Sequence, residues 1–475
     1  MIALMIVIFV VGYLLITLEH PLKINKAAIA LLIGTLLWII YMYAAPQIIP
    51  GYNGDEFQHF LDNSHSLSNK PFIEQVREFV ISSQIIDSLG NISQTLLFLL
   101  GAMTIVEIID VHGGFSFITD KITTRHKRRL LWMLTFITFF MSAVLDNLTT
   151  TIIMIMLLRK LVPDKHEQWI YGSIIVIAAN SGGAWSPIGD VTTIMLWVGG
   201  NISANVIPHL FLPSLVSIVI PAILIQHALK GTIDDKDIPK IGENPALFNY
   251  INIKERVIIL IFGLAILILT PVFKTITHLP PFMGVWFGVS LFWLYTDVMY
   301  NKKNGMPELH KANLHSILKR LDYATLLFFL GILLAVDALG AAGILNTMAD
   351  YMVEHMPNVY AQGISIGLLS AIVDNVPLVA AAMGMYPVAD ASMIATAANP
   401  ELLQYFVADG VFWHFLAYCA GTGGSILIIG SAAGVVFMGM EKVPFEWYLK
   451  HISWIALIGY LAGAGVYILQ NMLFM

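Results

Sequence analysis

Ala143-Val144-Leu145-Asp146-Asn147-Leu148-Thr149 and Ala371-Ile372-Val373-Asp374-Asn375-Val376-Pro377 are near-copies of one another, each set in an almost wholly apolar run. A carboxylate is too costly in hydrocarbon to lie there without a role, so an ionisable residue inside a membrane segment marks a functional site by default. Two of them in matching contexts predict a duplicated membrane fold that handles ions near mid-depth.

The surrounding chain agrees. Of its 475 residues 57% are hydrophobic and only 12% charged, against about a quarter charged in soluble domains. With a mean hydropathy of +0.78, this predicts an all-α polytopic membrane protein and argues against a soluble enzyme or a nucleic-acid binder. The apolar start Met1-Ile2-Ala3-Leu4 lacks a basic leader and a small-residue cleavage site, so residues 2 to 18 read as a retained helix. Cys419 is the single cysteine, and no Cys or His cluster has zinc spacing, so no disulfide, structural metal or cofactor is expected.

Crossing about 30 Å of hydrocarbon takes about 20 apolar residues. Such spans fall at 2–18, 27–45, 92–110, 209–228, 257–276, 282–299, 323–339 and 452–471. Residues 130–158 are bracketed by Arg128 and Arg129 before and Arg159 and Lys160 after, so both ends read as lying on the inside. A re-entrant hairpin with Asp146-Asn147 at its tip satisfies this, and 359–386 repeats it from the other face with Asp374-Asn375 at the tip. Two further segments read as broken helices: 169–200, interrupted at Asn180-Ser181-Gly182-Gly183-Ala184-Trp185-Ser186-Pro187-Ile188-Gly189-Asp190, and 410–438, interrupted at Gly421-Thr422-Gly423-Gly424-Ser425. With the N-terminus outside, all of the 25 basic residues but Lys70, Arg77 and Lys274 fall inside.

The halves match beyond the tips. Thr95-Leu96-Leu97-Phe98-Leu99-Leu100-Gly101 is echoed by Thr325-Leu326-Leu327-Phe328-Phe329-Leu330-Gly331, which sets Glu107 in register with Asp337. An N-terminal helix (1–24), a first repeat (25–228), an inside linker (229–255) and a second, inverted repeat (256–471) are therefore expected.

At a hairpin tip or helix break the backbone carbonyls and turn side chains lack helical partners and can face a cation. Hard cations take oxygen ligands. The candidates are Asp146, Asn147, Thr149, Thr150, Asn180, Ser181, Asp190 and Thr192 in the first half, and Asp374, Asn375, Thr422 and Ser425 in the second. Na⁺ is expected at Asp146 and Asp374, with Glu107 and Asp337 as a candidate proton relay; Ile429-Gly430-Ser431 lacks the acid that Asp190 supplies in the first half. Desolvation disfavours the charged form of a carboxylate, so a buried one near neutral pH can trade a proton for a metal cation, which is a mechanism of antiport.

The paired tips, and above all Trp185-Ser186-Pro187-Ile188-Gly189-Asp190-Val191-Thr192-Thr193, resemble the NhaD-type sodium/proton antiporters of the ion transporter superfamily. The resemblance spans nearly the whole chain. It implies exchange of Na⁺, and of Li⁺, for H⁺, in a bacterial inner membrane or a chloroplast envelope, by a homodimer of scaffold and transport domains. The same superfamily holds arsenite exporters and dicarboxylate carriers, so fold alone leaves those two alternatives open. Two acids at the tips oppose an anionic substrate. An intramembrane aspartyl protease is a remote alternative that does not need the inverted repeat.

Overall fold

The computed structural model describes residues 1–17, 24–64, 67, 70–115, 124–233, 250–303, 314–372, 375–397 and 400–474. The chain is an all-α polytopic membrane protein, and among the described residues it has eight helices long and apolar enough to cross a membrane. The main helices are α1 (Ile2–Thr17), α2 (Lys26–Tyr52), α3 (Gly54–Asn63), α4 (Phe72–Phe79), α5 (Ile86–Val111), α6 (Lys127–Leu145), α7 (Asn147–Leu161), α8 (Lys165–Ala184), α9 (Val191–Val198) and α10 (Val206–Ile225). They continue with α11 (Ile253–Thr277), α12 (Pro281–Asn301), α13 (Tyr323–Ala341), α14 (Ile344–His355), α15 (Val359–Ser370), α16 (Asn375–Met385), α17 (Val411–Gly423), α18 (Ala432–Glu441), α19 (Phe445–His451) and α20 (Ser453–Phe474).

Between the spans expected at 27–45 and 92–110 the chain holds further helix. Residues 53–91 contain α3 and α4, and α4 runs through a wide helical turn (Val80–Ile85) into α5, so that Phe72–Val111 is continuous. The apolar count over 72–91 is too low for a span, yet Val76, Phe79 and Val80 share one buried face, and Phe57 stacks edge-on against Phe72 and Phe79. The described part of α1, Ile2–Thr17, is 16 residues or about 24 Å long and is not among the eight; residue 18, the last of the expected span, lies outside the described residues.

The chain divides into two units. The first comprises Met1–Leu97, Asp322–Gln362 and Val376–Val388. Its spine is α2 packed on α13. A side chain on Gly34 would begin 2.5 Å from the Gly331 carbonyl oxygen, and one on Gly331 2.4 Å from the Ala30 carbonyl carbon, so the two backbones touch. Small residues permit this approach between helices in lipid, where dispersion packing holds helices together. Gly331→Ala is expected to cost about 1–3 kcal/mol through overpacking, read as a lower melting temperature in detergent. Gly439→Ala, where an added Cβ meets nothing within 4 Å, is expected to stabilise slightly, because alanine is the better helix former.

The second unit comprises Phe98–Leu321, Gly363–Asn375 and Ala389–Met475. Its core gathers Leu134 and Phe139 of α6, Leu158 of α7, Tyr171 and Ile175 of α8, Phe437 of α18 and Tyr448 of α19. Within it α8 stops at Ala184 and resumes as α9, and α17 stops at Gly423 and resumes as α18. Both interruptions fold back onto the helix they leave. A Cβ on Gly183 would lie 2.5 Å from the Gly189 oxygen, and one on Gly424 would lie 2.9 Å from the Gly430 oxygen. The twin glycines thus make each break possible, and the Gly-Gly spacing in the sequence is the price of a loop lying flat on its own helix.

Candidate functional site

Four segments of the second unit converge on one carboxylate. The break after α8 ends at Asp190, whose extended backbone (φ −146°, ψ 153°) lets its side chain cap α9: Oδ1 accepts from the Thr192 amide at 3.3 Å. Oδ2 points away from the helix and accepts the side-chain amide of Asn147 at 3.1 Å and that of Asn375 at 3.2 Å. Each of the two Asp-Asn motifs thus sends its asparagine to the same oxygen. Asp190 is 1% exposed, Asn147 4% and Asn375 3%, so this is a water-poor cluster.

Asn180 joins the second broken helix to it. Its carbonyl oxygen accepts the other hydrogen of Asn147 Nδ2 at 3.1 Å, while its own amide donates to Ser425 Oγ at 2.9 Å and Ser431 Oγ at 2.8 Å. Ser425 is held in turn through its carbonyl, which accepts from Tyr448 Oη at 2.8 Å. Ser431 caps α18 with φ −146° and ψ 155°, nearly the angles of Asp190. The same capping position thus carries an acid before α9 and a hydroxyl before α18. α6 and α15 are pinned alike near their ends: Ser142 Oγ donates to the Ala179 carbonyl at 2.5 Å and Ser370 Oγ to the Ala420 carbonyl at 2.8 Å. Thr150 and Thr192 are fully buried, and among the described residues their hydroxyls have no hydrogen-bond partner.

Of the twelve sequence candidates, Asn147, Asn180, Asp190, Asn375 and Ser425 are bonded into one network. The others are placed differently. Asp146 turns back on its own helix: its carboxylate accepts from the Thr149 amide at 2.7 Å and the Thr149 hydroxyl at 2.9 Å. Its backbone is at φ 84° and ψ 157°, a region costing a non-glycine residue about 1–3 kcal/mol, and the two bonds from Thr149 hold it there. Ser181 accepts from Ser217 at 2.9 Å, and Thr422 donates along its own helix to the Tyr418 carbonyl at 2.6 Å. Asp374 lies outside the described residues.

The two residues of the expected relay belong to different units. Glu107 is paired with Arg320 at 3.1 Å near the end of α5. Asp337 belongs to the first unit, in contact with Ser88. The sequence reading missed Ser431 as a site residue because it looked there for an acid; a serine directly before a helical run is a capping signal and was the available clue. It also missed Ser217, which a purely apolar helix pattern conceals.

A second polar cluster joins the loop after α9 to the start of α17. Asp409 accepts from the Ser203 amide and hydroxyl, both at 2.6 Å, and lies 3.3 Å from His414 Nε2. Burial alone raises a carboxylate's pKa, but the hydrogen bonds from His414 and Ser203 outweigh it and hold Asp409 well below the ordinary range. The sign of the pH effect follows. A depressed folded-state pKa stabilises the fold above the unfolded pKa of about 3.9, and that contribution is lost as pH falls through the folded value. Asp409→Asn is therefore expected to lower the melting temperature at pH 7 and to have a shrinking effect as melts are taken from pH 5 downward.

Comparison with known proteins adds the following. The model of the citrate transporter family, CitMHS, matches residues 5–408. Sodium/proton antiporter 2 of Arabidopsis thaliana is 41% identical over 98% of this chain and 98% of its own length. Sodium/proton antiporter 1 of the same plant is 42% identical over 98% of this chain and 72% of its own. The Na(+)/H(+) antiporter NhaD of Alkalimonas amylolytica is 27% identical over 98% of this chain and 90% of its own.

Proposed function

The chain belongs to the citrate transporter family, as an NhaD-type member, and on that premise we propose that it exchanges Na⁺ for H⁺ across a membrane by alternating access. The observation that carries this reading is Asp190 Oδ2, a buried carboxylate oxygen addressed by Asn147 and Asn375 together. Burying a charge is expensive unless something neutralises it. A proton or a sodium ion each does so, and they exclude one another at the same oxygen, which is the coupling that exchange requires.

The network that holds Asp190 is rich in oxygen: the carbonyl of Asn180 and the hydroxyls of Ser425 and Ser431, with the unpartnered hydroxyls of Thr150 on the helix of Asn147 and of Thr192 on the helix that Asp190 caps. This suits a hard cation. Asp146, and Asp374 by the sequence match, stand next to the two asparagines and add charge at the tips; Na⁺ reaches Asp190 through them. Li⁺, smaller and equally hard, is expected to be carried too. The matching family model is described as that of a citrate transporter, and the discriminating feature here is charge. Residues 166–229 and 321–441, which hold both broken helices and the second tip, contain no Lys or Arg, so a polycarboxylate would meet acids with no basic side chain from these segments to balance it.

The paired bonds of Ser142 and Ser370 and the matched caps Asp190 and Ser431 support reading the two halves as inverted repeats, with α6–α7 and α15–α16 as re-entrant hairpins. The clustering of Lys and Arg supports an N-terminus on the outside. A homodimer in a bacterial inner membrane, working in pH and sodium homeostasis, is the assembly and setting proposed.

The test is a reconstituted vesicle with a preset acidic lumen and a pH dye. Addition of Na⁺ or Li⁺ is expected to dequench the dye, and K⁺ to leave it. No response to any alkali cation between pH 6 and 9.5 contradicts exchange, and citrate or arsenite uptake would then be the activities to measure.

A further inference from the structure

A cleft at the start of α6 gathers positive charge without an internal counterion. It has a volume of about 570 Å³ and is lined by His126, Arg128, Arg129, Lys230, Gly231 and Thr232. Two separate stretches of chain make it, and the backbone clips them together. Ile233 N donates to the Arg125 carbonyl at 2.9 Å, Lys127 N to the Gly231 carbonyl at 3.3 Å, and Arg128 Nε to the Leu229 carbonyl at 3.3 Å. Gly231 turns at φ +87°, and a Cβ built there would meet nothing within 4 Å.

The charges are available. Lys127 is turned away into an ion pair with Glu167. Arg129 and Lys230 are exposed and have neither a hydrogen bond nor an ion pair among the described residues, and no carboxylate lines the cleft. Three cations and a histidine gathered at one cleft with no carboxylate in its lining attract an anion. Below it, on α6 and α10, Phe136, Phe140, Ile223 and Leu224 are exposed and apolar. Trp132, bonded to Gln226 Oε1 at 3.2 Å, lies between the charged end and that apolar surface. A charged head above, an indole at the boundary and an apolar flank beneath is the profile of a membrane interface.

We propose that this cleft binds the phosphate of an anionic phospholipid headgroup, with the acyl chains against the exposed flank of α6 and α10. Arg128 and Arg129 supply forked donors that suit phosphate oxygens, and Lys230 adds a point charge. The lipid anchors the first arm of the Asp146 hairpin at the bilayer surface. The argument uses neither Asp190 nor the exchange reaction and stands or falls apart from them.

The test uses the full-length protein in a neutral detergent, melted with increasing phosphatidylglycerol, with phosphatidylcholine, or with inorganic phosphate. Phosphatidylglycerol is expected to raise the melting temperature and phosphatidylcholine to leave it. Each basic group near such a headgroup is worth about fivefold in affinity, so Arg128→Gln/Arg129→Gln/Lys230→Gln is expected to raise the half-saturating concentration about 100-fold. If the triple variant does not fold, Lys230→Gln alone, which breaks no bond in the protein, is expected to raise it about fivefold. An equal shift with inorganic phosphate, lost in the same variants, keeps the phosphate site and assigns it to the soluble ion. Retention of the lipid shift in the variants overturns the proposal. So does the absence of a shift in the wild type that appears once Asp234, Asp235 and Asp237 are made Asn, since the cleft would then be filled by the acids that follow it in the chain.

Discussion

Asp190→Asn is expected to reduce sodium-driven proton release by at least about 100-fold while leaving a folded protein. The attraction between a carboxylate and a monovalent cation at 4 Å is about 4 kcal/mol at an effective dielectric of about 20, and about 2.8 kcal/mol already corresponds to a hundredfold. Asparagine caps a helix as well as aspartate does, so α9 keeps its start at Val191. A price remains. The amide group that takes the place of Oδ2 would face the amides of Asn147 and Asn375, donor against donor. That mismatch is expected to cost about 1–3 kcal/mol of stability, visible as a modest fall in melting temperature beside a near-complete loss of exchange. Asp146→Asn gives the contrast. Its amide oxygen can still accept from Thr149, so the cap survives and only charge at the tip is lost, and a partial reduction is expected.

The second large effect concerns Glu441, whose side chain is fully buried at the end of α18. Arg159 Nε approaches it at 2.5 Å and Lys165 Nζ at 2.8 Å, while the Glu441 carbonyl accepts from Trp169 Nε1 at 3.2 Å. One residue therefore ties the end of α7 and the start of α8 to the end of α18. Breaking a buried ion pair by removing one partner costs about 3–5 kcal/mol when the other charge is stranded. Here the side chains of Arg159 and Lys165 are 39% and 64% exposed and can turn to water. Glu441→Ala is accordingly expected to cost about 2–3 kcal/mol, at the low side of that range. Differential scanning fluorimetry in detergent, with the exposed neighbour Glu446→Ala as a control expected to lie within about 0.5 kcal/mol of wild type, checks this. Equal melting temperatures for the two variants would contradict a structural role for the clamp.

The membrane architecture was legible because its signal is coarse. Runs of apolar residues and their basic borders placed the starts of α2 and α6 and both ends of α10, α12, α13 and α20 within a few residues, whereas α2 runs on past the expected 45 to Tyr52. The breaks were legible as well, since Gly182-Gly183 and Gly423-Gly424 interrupt runs that would otherwise continue as helix. What could not be read was direction. In each Asp-Asn pair the acid is the louder signal, and the sequence reading set the ion on Asp146. The structure sends the neighbouring Asn147 inward, because the backbone of Asp146 is rotated to φ 84° and commits its carboxylate to Thr149. A single dihedral decides which of two adjacent polar residues faces the core, and no spacing rule reports it. Ser431 was hidden for a related reason: its role comes from a backbone position shared with Asp190, while its side chain differs.

The helix before α5 falls outside the spans expected at 27–45 and 92–110 because only part of it is apolar. One buried face with Val76 and Phe79 is enough to hold a helix that a hydropathy window of span length rejects.

The most direct test of the central claim is uptake of radioactive sodium into reconstituted vesicles under an imposed pH gradient, wild type against Asp190→Asn. Uptake that depends on the gradient, collapses when it is dissipated, and falls at least about 100-fold in the variant is the result this account predicts. Gradient-driven sodium uptake that survives in a folded Asp190→Asn protein would contradict it, and would move the cation to another carboxylate of the chain.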